Sequence, residues 1–102
     1  MQIEVKRSGG FAGITTTFLA DEKLATPDEI SQLEELVNKA KFFDLSSEPQ
    51  AKRDGADYYT YEITVEMGLM RHTVKATDIT ISQSLRSIIN QVMDIHYRTS
   101  HD

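Results

Sequence analysis

Three histidines are the side chains best suited to catalysis or metal binding, and their spacing favours neither role. They are His72, His96 and His101, and the chain has no cysteine. No two of them are four residues apart, the spacing that places two imidazoles on one face of a helix. No thiolate is present to complete a zinc site or to act as a nucleophile. The sequence therefore predicts no metal site, and we interpret the mid-strand His72 as an inward-facing, hydrogen-bonded core residue.

Carboxylate pairs and glycines are the remaining candidates for chemistry. Asp28/Glu29 falls at a helix start and Glu34/Glu35 on a solvated helix surface. Neither pair therefore has the apolar pocket that would raise a carboxyl pKa for acid–base catalysis. The stretch 8–13, Ser-Gly-Gly-Phe-Ala-Gly, lacks the Lys-Ser/Thr of a phosphate-binding loop. By elimination, these patterns predict a binding protein without a cofactor, and not an enzyme.

Composition limits the partners and the compartment. The 102 residues suit one domain, and 16 acidic against 11 basic residues give a net charge of -5. An acidic chain without a basic stripe is a poor nucleic-acid ligand, because phosphate neutralisation supplies most of that affinity. No apolar run approaches the roughly 18 residues that suggest a membrane span, and no signal-peptide core is visible. We expect a cytoplasmic protein, and the lack of cysteine fits a reducing compartment.

The N-terminal stretch 1–19 predicts a β-hairpin around which the chain is organised. Ile3 and Val5 alternate with polar residues, and residues 14–19 form a second run rich in β-branched and aromatic residues. Gly9 and Gly10 between these runs adopt positive φ at little steric cost, so we expect the chain to reverse there. Phe11 allows two interpretations: it folds back onto the sheet or a helix end, or the hairpin presents it to a partner as an aromatic anchor.

The rest of the chain predicts helices, strands and one long loop. Thr26-Pro27-Asp28-Glu29 has the N-cap, first-turn proline and capping-box glutamate of a helix start. Strands are predicted around 58–66 and 70–76, with Glu62 and Glu66 facing Lys75 and Arg71. A capping box at Thr80-Ile81-Ser82-Gln83 predicts a second helix, whose apolar stripe runs from Leu85 to Met93 and excludes Ile95. Residues 46–57 predict a loop, either a flexible connector or a functional one.

The order β-β-α-β-β-α predicts an α+β fold, a two-layer α/β sandwich with a four-stranded sheet and two helices on one face. We expect a single domain over 1–98 and a flexible C-terminal tail over 99–102. If the third strand pairs parallel to the second, the crossover is right-handed and the 46–57 loop lies at the same end of the sheet as the glycine hairpin. An antiparallel third strand separates them, and the sequence leaves both arrangements open.

Several stretches of the chain resemble the emfourin family. They are Ile3-Glu4-Val5-Lys6-Arg7-Ser8-Gly9-Gly10-Phe11-Ala12-Gly13, Leu33-Glu34-Glu35-Leu36-Val37 with Phe42-Phe43-Asp44-Leu45, Tyr61-Glu62-Ile63-Thr64-Val65-Glu66, and Arg71-His72-Thr73-Val74. The resemblance runs from Gln2 to Met93. It implies a small cytoplasmic bacterial protein, encoded beside a protealysin-like peptidase, that inhibits thermolysin-like zinc metallopeptidases. We expect such an inhibitor to be a monomer.

Given this resemblance, we expect the glycine hairpin and the long loop to meet the peptidase, because Phe11 stands among glycines in a turn that gives an aromatic ring little to pack on. The predicted partner-binding residues are Arg7, Ser8, Gly9, Gly10 and Phe11 of the hairpin, with Pro49, Lys52 and Arg53 of the long loop. Peptidases of this class favour a bulky apolar residue just after the scissile bond, and Phe11 suits that subsite. Arg7 is expected to pair with acidic groups of the cleft, and Ser8 and Gly9 to offer main-chain hydrogen bonds. The alternative is a non-inhibitory interaction or assembly module that uses the exposed face of the sheet.

Overall fold

The predicted element order is confirmed in a computed structural model, which describes residues 1–9, 13–47 and 58–99. The elements are β1 (Gln2–Gly9), β2 (Thr16–Asp21), α1 (Pro27–Ala40), a 3-10 turn (Phe42–Asp44), β3 (Tyr59–Met67), β4 (Met70–Thr77) and α2 (Gln83–Thr99). Four strands form one sheet and two helices cover one of its faces, so the α+β fold is confirmed. No helix within the described ranges has both the length and the apolar character needed to cross a bilayer.

The strand order is β2-β1-β3-β4, and every neighbouring pair is antiparallel. β3 therefore pairs with β1 and not with β2, which differs from both arrangements that the sequence left open. β2 and β3 still run in the same direction, with β1 between them. As a result the start of β3 lies beside the end of β1, where Tyr59 is opposite Gly9. The flank of the long loop and the flank of the glycine hairpin thus meet at one end of the sheet, which we call the hairpin end.

α1 begins as the sequence predicts, with a complete capping box. The Glu29 N–H donates to Thr26 Oγ1 at 3.2 Å, and the Thr26 N–H donates back to Glu29 Oε1 at 2.9 Å. The C-cap of α1 is Lys41, whose φ of 51° is left-handed. Its N–H bonds to carbonyls of the last turn, which leaves fewer helix carbonyls without a partner.

α2 differs from its predicted start and stripe. Ser82 caps it, since the Leu85 N–H donates to Ser82 Oγ at 3.2 Å, while Thr80 bonds back to Thr77. The predicted capping box at Thr80 is therefore wrong by two residues. Ile95 is fully buried and belongs to the apolar stripe, because it lies seven residues, two helical turns, after the buried Ile88. Of the predicted 99–102 tail, Thr99 is the last residue of α2 and residues 100–102 lie outside the described residues.

The C-terminal turn of α2 is tied to the first turn of α1. The Arg98 guanidinium donates two hydrogen bonds, of 2.6 and 2.8 Å, to the Glu29 carboxylate. Its Nη2 also donates to the Leu24 carbonyl at 3.1 Å. The Arg98 guanidinium, with the Thr26 N–H, lowers the pKa of Glu29 to about 2, and Glu29 in turn raises the pKa of Arg98. The pair joins two helices that are distant in sequence.

A single apolar core lies between the sheet and the helices. It contains Ile3, Val5, Phe18, Leu33, Val37, Phe42, Ile63, Val65, Val74, Ile88, Ile89, Val92 and Ile95 among its most buried members. The other face of the sheet is polar, and the predicted cross-strand pairs are confirmed there. Glu62 is opposite Lys75 and Glu66 opposite Arg71, with Arg71 Nε 3.1 Å from Glu66 Oε1.

Candidate functional site

Gly9 fixes how the two loop flanks meet at the hairpin end. It is the last residue of β1 and has a φ of +99°, which residues with a side chain rarely adopt. A Cβ added at Gly9 would lie 2.8 Å from the Tyr58 carbonyl oxygen, closer than real contacts allow. Glycine is therefore required for the main chains of β1 and of the residue before β3 to approach this closely.

The structure places three of the predicted partner-binding residues at this end. Arg7, Ser8 and Gly9 are the last three residues of β1, opposite Tyr61, Thr60 and Tyr59 of β3. The other predicted residues, Gly10, Phe11, Pro49, Lys52 and Arg53, lie outside the described residues.

The residue before the long loop, Ser47, is also held on the half of the sheet that contains the hairpin end. The Lys75 N–H, on the outer edge of β4, donates to Ser47 Oγ at 3.1 Å. Lys75 is two residues from the end of β4 at the hairpin end, where Thr77 is opposite Thr60. Both described flanks of the loop, Ser47 and Tyr58, are therefore held against the sheet.

Arg7 packs differently from the free charge that the sequence suggests. It follows Ile3 and Val5 on the face that the helices cover, and its guanidinium carbon lies 4.7 Å from the ring centre of Tyr59 and 5.1 Å from that of Phe18. Within the described part of the chain it makes no ion pair. A guanidinium carries five N–H donors, so Arg7 is also suited to bind a carboxylate. The alternation Ile3, Val5, Arg7 was the signal for this placement.

Exposed apolar side chains flank the hairpin end. Ile14 precedes β2 and is 63% exposed, Tyr59 begins β3 and is 37% exposed, and Ile79 follows β4 and is 51% exposed. Neither Ile79 nor the exposure of Ile14 was expected from the sequence as a feature of a site. Ile14 and Ile79 lie beside opposite edges of the sheet and Tyr59 on an inner strand, so the hairpin end presents separate apolar side chains across its width.

The turn that carries Ile79 is held by several hydrogen bonds. The Asp78 N–H donates to the Tyr59 carbonyl at 3.0 Å, and the Asp78 carbonyl accepts from Arg86 Nη2 at 3.1 Å. The Thr77 and Thr80 hydroxyls are 2.8 Å apart. These bonds fix the turn relative to β3 and α2, so Ile79 is presented from an ordered segment.

The histidines form no site with one another in the part that the structure describes. The His72 Nε2 lies 2.6 Å from the Leu45 carbonyl oxygen, so the ring donates there, and the ring packs edge-on against Phe42. The interpretation of His72 as a satisfied, inward-facing residue is confirmed. His96 accepts the Leu19 N–H on Nδ1 at 3.3 Å. The described residues contain no group of three His, Asp or Glu side chains able to hold a metal ion, and His101 lies outside them.

Comparison with known proteins gives one match. No curated protein and no solved structure matches the chain significantly. A family model described as Emfourin matches residues 5–93, which include β2, α1, β3 and β4, with most of β1 and of α2. Since the match covers most of the sequence, the chain belongs to the emfourin family.

Proposed function

We propose that this protein inhibits thermolysin-like, in particular protealysin-like, zinc metallopeptidases by occupying the substrate cleft with its hairpin end. Membership of the emfourin family supports an inhibitor of metallopeptidases that is not itself an enzyme. The observation that carries the cleft-blocking proposal is the pairing of Gly9 with Tyr59, which brings the flanks of two loops to one end of a rigid sheet. The inhibitor contributes no metal ligand, and the zinc ion belongs to the peptidase.

Rigidity at the hairpin end is what allows inhibition without conversion to product. β1 pairs with β2 as far as Arg7 and with β3 as far as Gly9, so its last residues lose little conformational entropy when they dock. In the sequence Gly10 and Phe11 directly follow this braced strand. In the proposal Phe11 fills the subsite for a bulky apolar residue, and Ser8 and Gly9 offer main-chain bonds. Arg7 offers its N–H donors to acidic groups, and Pro49, Lys52 and Arg53 make a second contact.

The compartment and the oligomeric state complete the proposal. The protein acts in the cytoplasm as a monomer, and the lack of cysteine in the sequence is compatible with a reducing compartment.

The test is inhibition of thermolysin cleaving a peptide substrate, with Phe11→Ala compared to a matched control. Leu69 is a fully exposed apolar residue in the turn between β3 and β4, at the opposite end of the sheet. Phe11→Ala should raise the inhibition constant by about 30-fold, as expected for loss of an anchor of about 2 kcal/mol. Leu69→Ala should leave the inhibition constant unchanged.

The outcomes separate the function from the surface that performs it. Absence of inhibition by the folded wild-type protein, against both thermolysin and a protealysin-like peptidase, would reject the inhibitor function. Inhibition that is unaffected by Phe11→Ala but weakened by Leu69→Ala would move the contact to the other end of the sheet. Circular dichroism on each variant checks that it is folded.

A further inference from the structure

β2 is an outer strand of the sheet, and within the described residues its free side is covered only towards its C-terminal end. The Asp21 carbonyl accepts the Leu24 and Ala25 N–H groups at 3.2 and 2.9 Å. The Leu19 N–H donates to His96 Nδ1 of α2, so it points away from β1. Residues two apart on a strand direct their main-chain groups to the same side. The Thr17 N–H and carbonyl therefore also point outward, and the described residues include no hydrogen-bond partner for them.

The other outer strand is protected in ways that β2 is not. On β4 the Lys75 N–H donates to Ser47 Oγ and the Thr77 N–H to Thr80 Oγ1, and Arg71 and Lys75 place two charges on the strand. Proteins guard sheet edges with charge, proline or covering segments. Residues 14–17, Ile-Thr-Thr-Thr, contain no charge or proline, and all four have the β-branched side chains that favour extended structure. Ile14 and Thr17 are also exposed.

We propose that residues 14–17 bind an extended main-chain segment of the inhibited peptidase, which adds a strand to the sheet beside β2. This inference rests on the proposed function and names a second contact within it. Outward main-chain groups such as the Thr17 N–H and carbonyl recognise extended backbone of any sequence, as in other cases of strand addition. This edge lies close enough to the hairpin end for one peptidase to contact both, because Thr16 is opposite Arg7, and Arg7 is two residues before Gly9. A partner at the hairpin end therefore reaches this edge without crossing the domain.

A single substitution removes the outward donor without touching the ladder between β1 and β2. Thr17→Pro deletes the Thr17 N–H, and proline is tolerated on an outer strand where that group faces solvent. Thr17→Val is the matched control, because it removes only the hydroxyl. Thr17→Pro should raise the inhibition constant for thermolysin by about tenfold, and Thr17→Val by less than about twofold.

Amide hydrogen exchange gives a second readout that does not depend on the proline variant folding. In the wild-type protein, addition of thermolysin should slow exchange of the Thr17 N–H by at least about tenfold. The Leu19 N–H, already bonded to His96, is the internal reference and should change little.

Three results would overturn the edge contact. If the wild type inhibits and the folded Thr17→Pro and Thr17→Val variants inhibit equally, the edge is not used, although the inhibitor function stands. Unchanged Thr17 exchange in an inhibited complex would likewise show that the peptidase does not cover this edge. If Thr17 is protected without peptidase and sedimentation shows a dimer, the edge binds a second copy of this chain. A wild type that neither binds nor inhibits removes the proposed function itself.

Discussion

Arg7 should contribute to folding through its aromatic neighbours, and this can be measured apart from inhibition. Its guanidinium carbon lies 4.7 and 5.1 Å from two ring centres, and one of these rings, Phe18, is fully buried. A cation above an aromatic face contributes about 0.5–1 kcal/mol when exposed and more when desolvated. Two such contacts therefore give an expected loss of about 1–2 kcal/mol for Arg7→Met, which keeps an apolar stem but removes the charge.

The assay is equilibrium urea unfolding at neutral pH. Arg7→Ala should lose about 1 kcal/mol more than Arg7→Met, because it also removes the packed stem. Lys6→Met is the matched control, since Lys6 is the neighbouring cation on the open face of the sheet and its Nζ is 3.8 Å from Glu4 Oε1. It should change the free energy of unfolding by less than about 0.5 kcal/mol. Arg7→Met and Lys6→Met variants of equal stability would refute the stacking argument.

Two further predictions concern the ends of the fold. Because the folded-state pKa of Glu29 is about 2 against an ordinary value of 4.5, its contribution is fully present above about pH 4.5 and is lost as the pH falls towards 2. Arg98 is half exposed, so solvent screening reduces this contribution to on the order of 1 kcal/mol. Thermal unfolding between pH 2 and 6 should show a smaller pH dependence for Glu29→Gln than for the wild type, and equal slopes would contradict it. At the hairpin end, Gly9→Ala should lower the free energy of unfolding in urea by about 1–3 kcal/mol, because the residue has a positive φ and its new Cβ would meet the Tyr58 carbonyl. Gly13→Ala should lower it less, because Gly13 also has a positive φ but its Cβ would lie in open space. Equal losses would show that the contact with the Tyr58 carbonyl is unimportant.

Short-range patterns in the sequence were sufficient to predict the helices and strands. Alternation at Ile3 and Val5, and the capping box at Thr26, depend on residues a few positions apart, and both are confirmed. Ser82 and Ile95 show the limit of this reasoning. Two capping residues, Thr80 and Ser82, compete within one short stretch, and only the packing of α2 on the sheet decides which one caps the helix and which residues complete its stripe.

Locating the candidate site required the tertiary structure more than locating the helices and strands did. The sequence identified Arg7, Ser8 and Gly9 from their types, but it left open whether the long loop lies near them. That proximity follows from the pairing of β3 with β1, which joins Gly9 to Tyr59 and Gln2 to Glu66 across long stretches of sequence.

The sequence by itself determined the kinds of elements, their order, the apolar faces and the family, because these depend on residue types and short-range spacing. Only the tertiary structure decided the strand order, the packing of Arg7 against the rings of Phe18 and Tyr59, and which main-chain group of β2 is covered by His96. Those features arise from contacts between residues distant in the chain. Many pairings of the same amphipathic elements would bury similar apolar area, so local patterns do not distinguish among them.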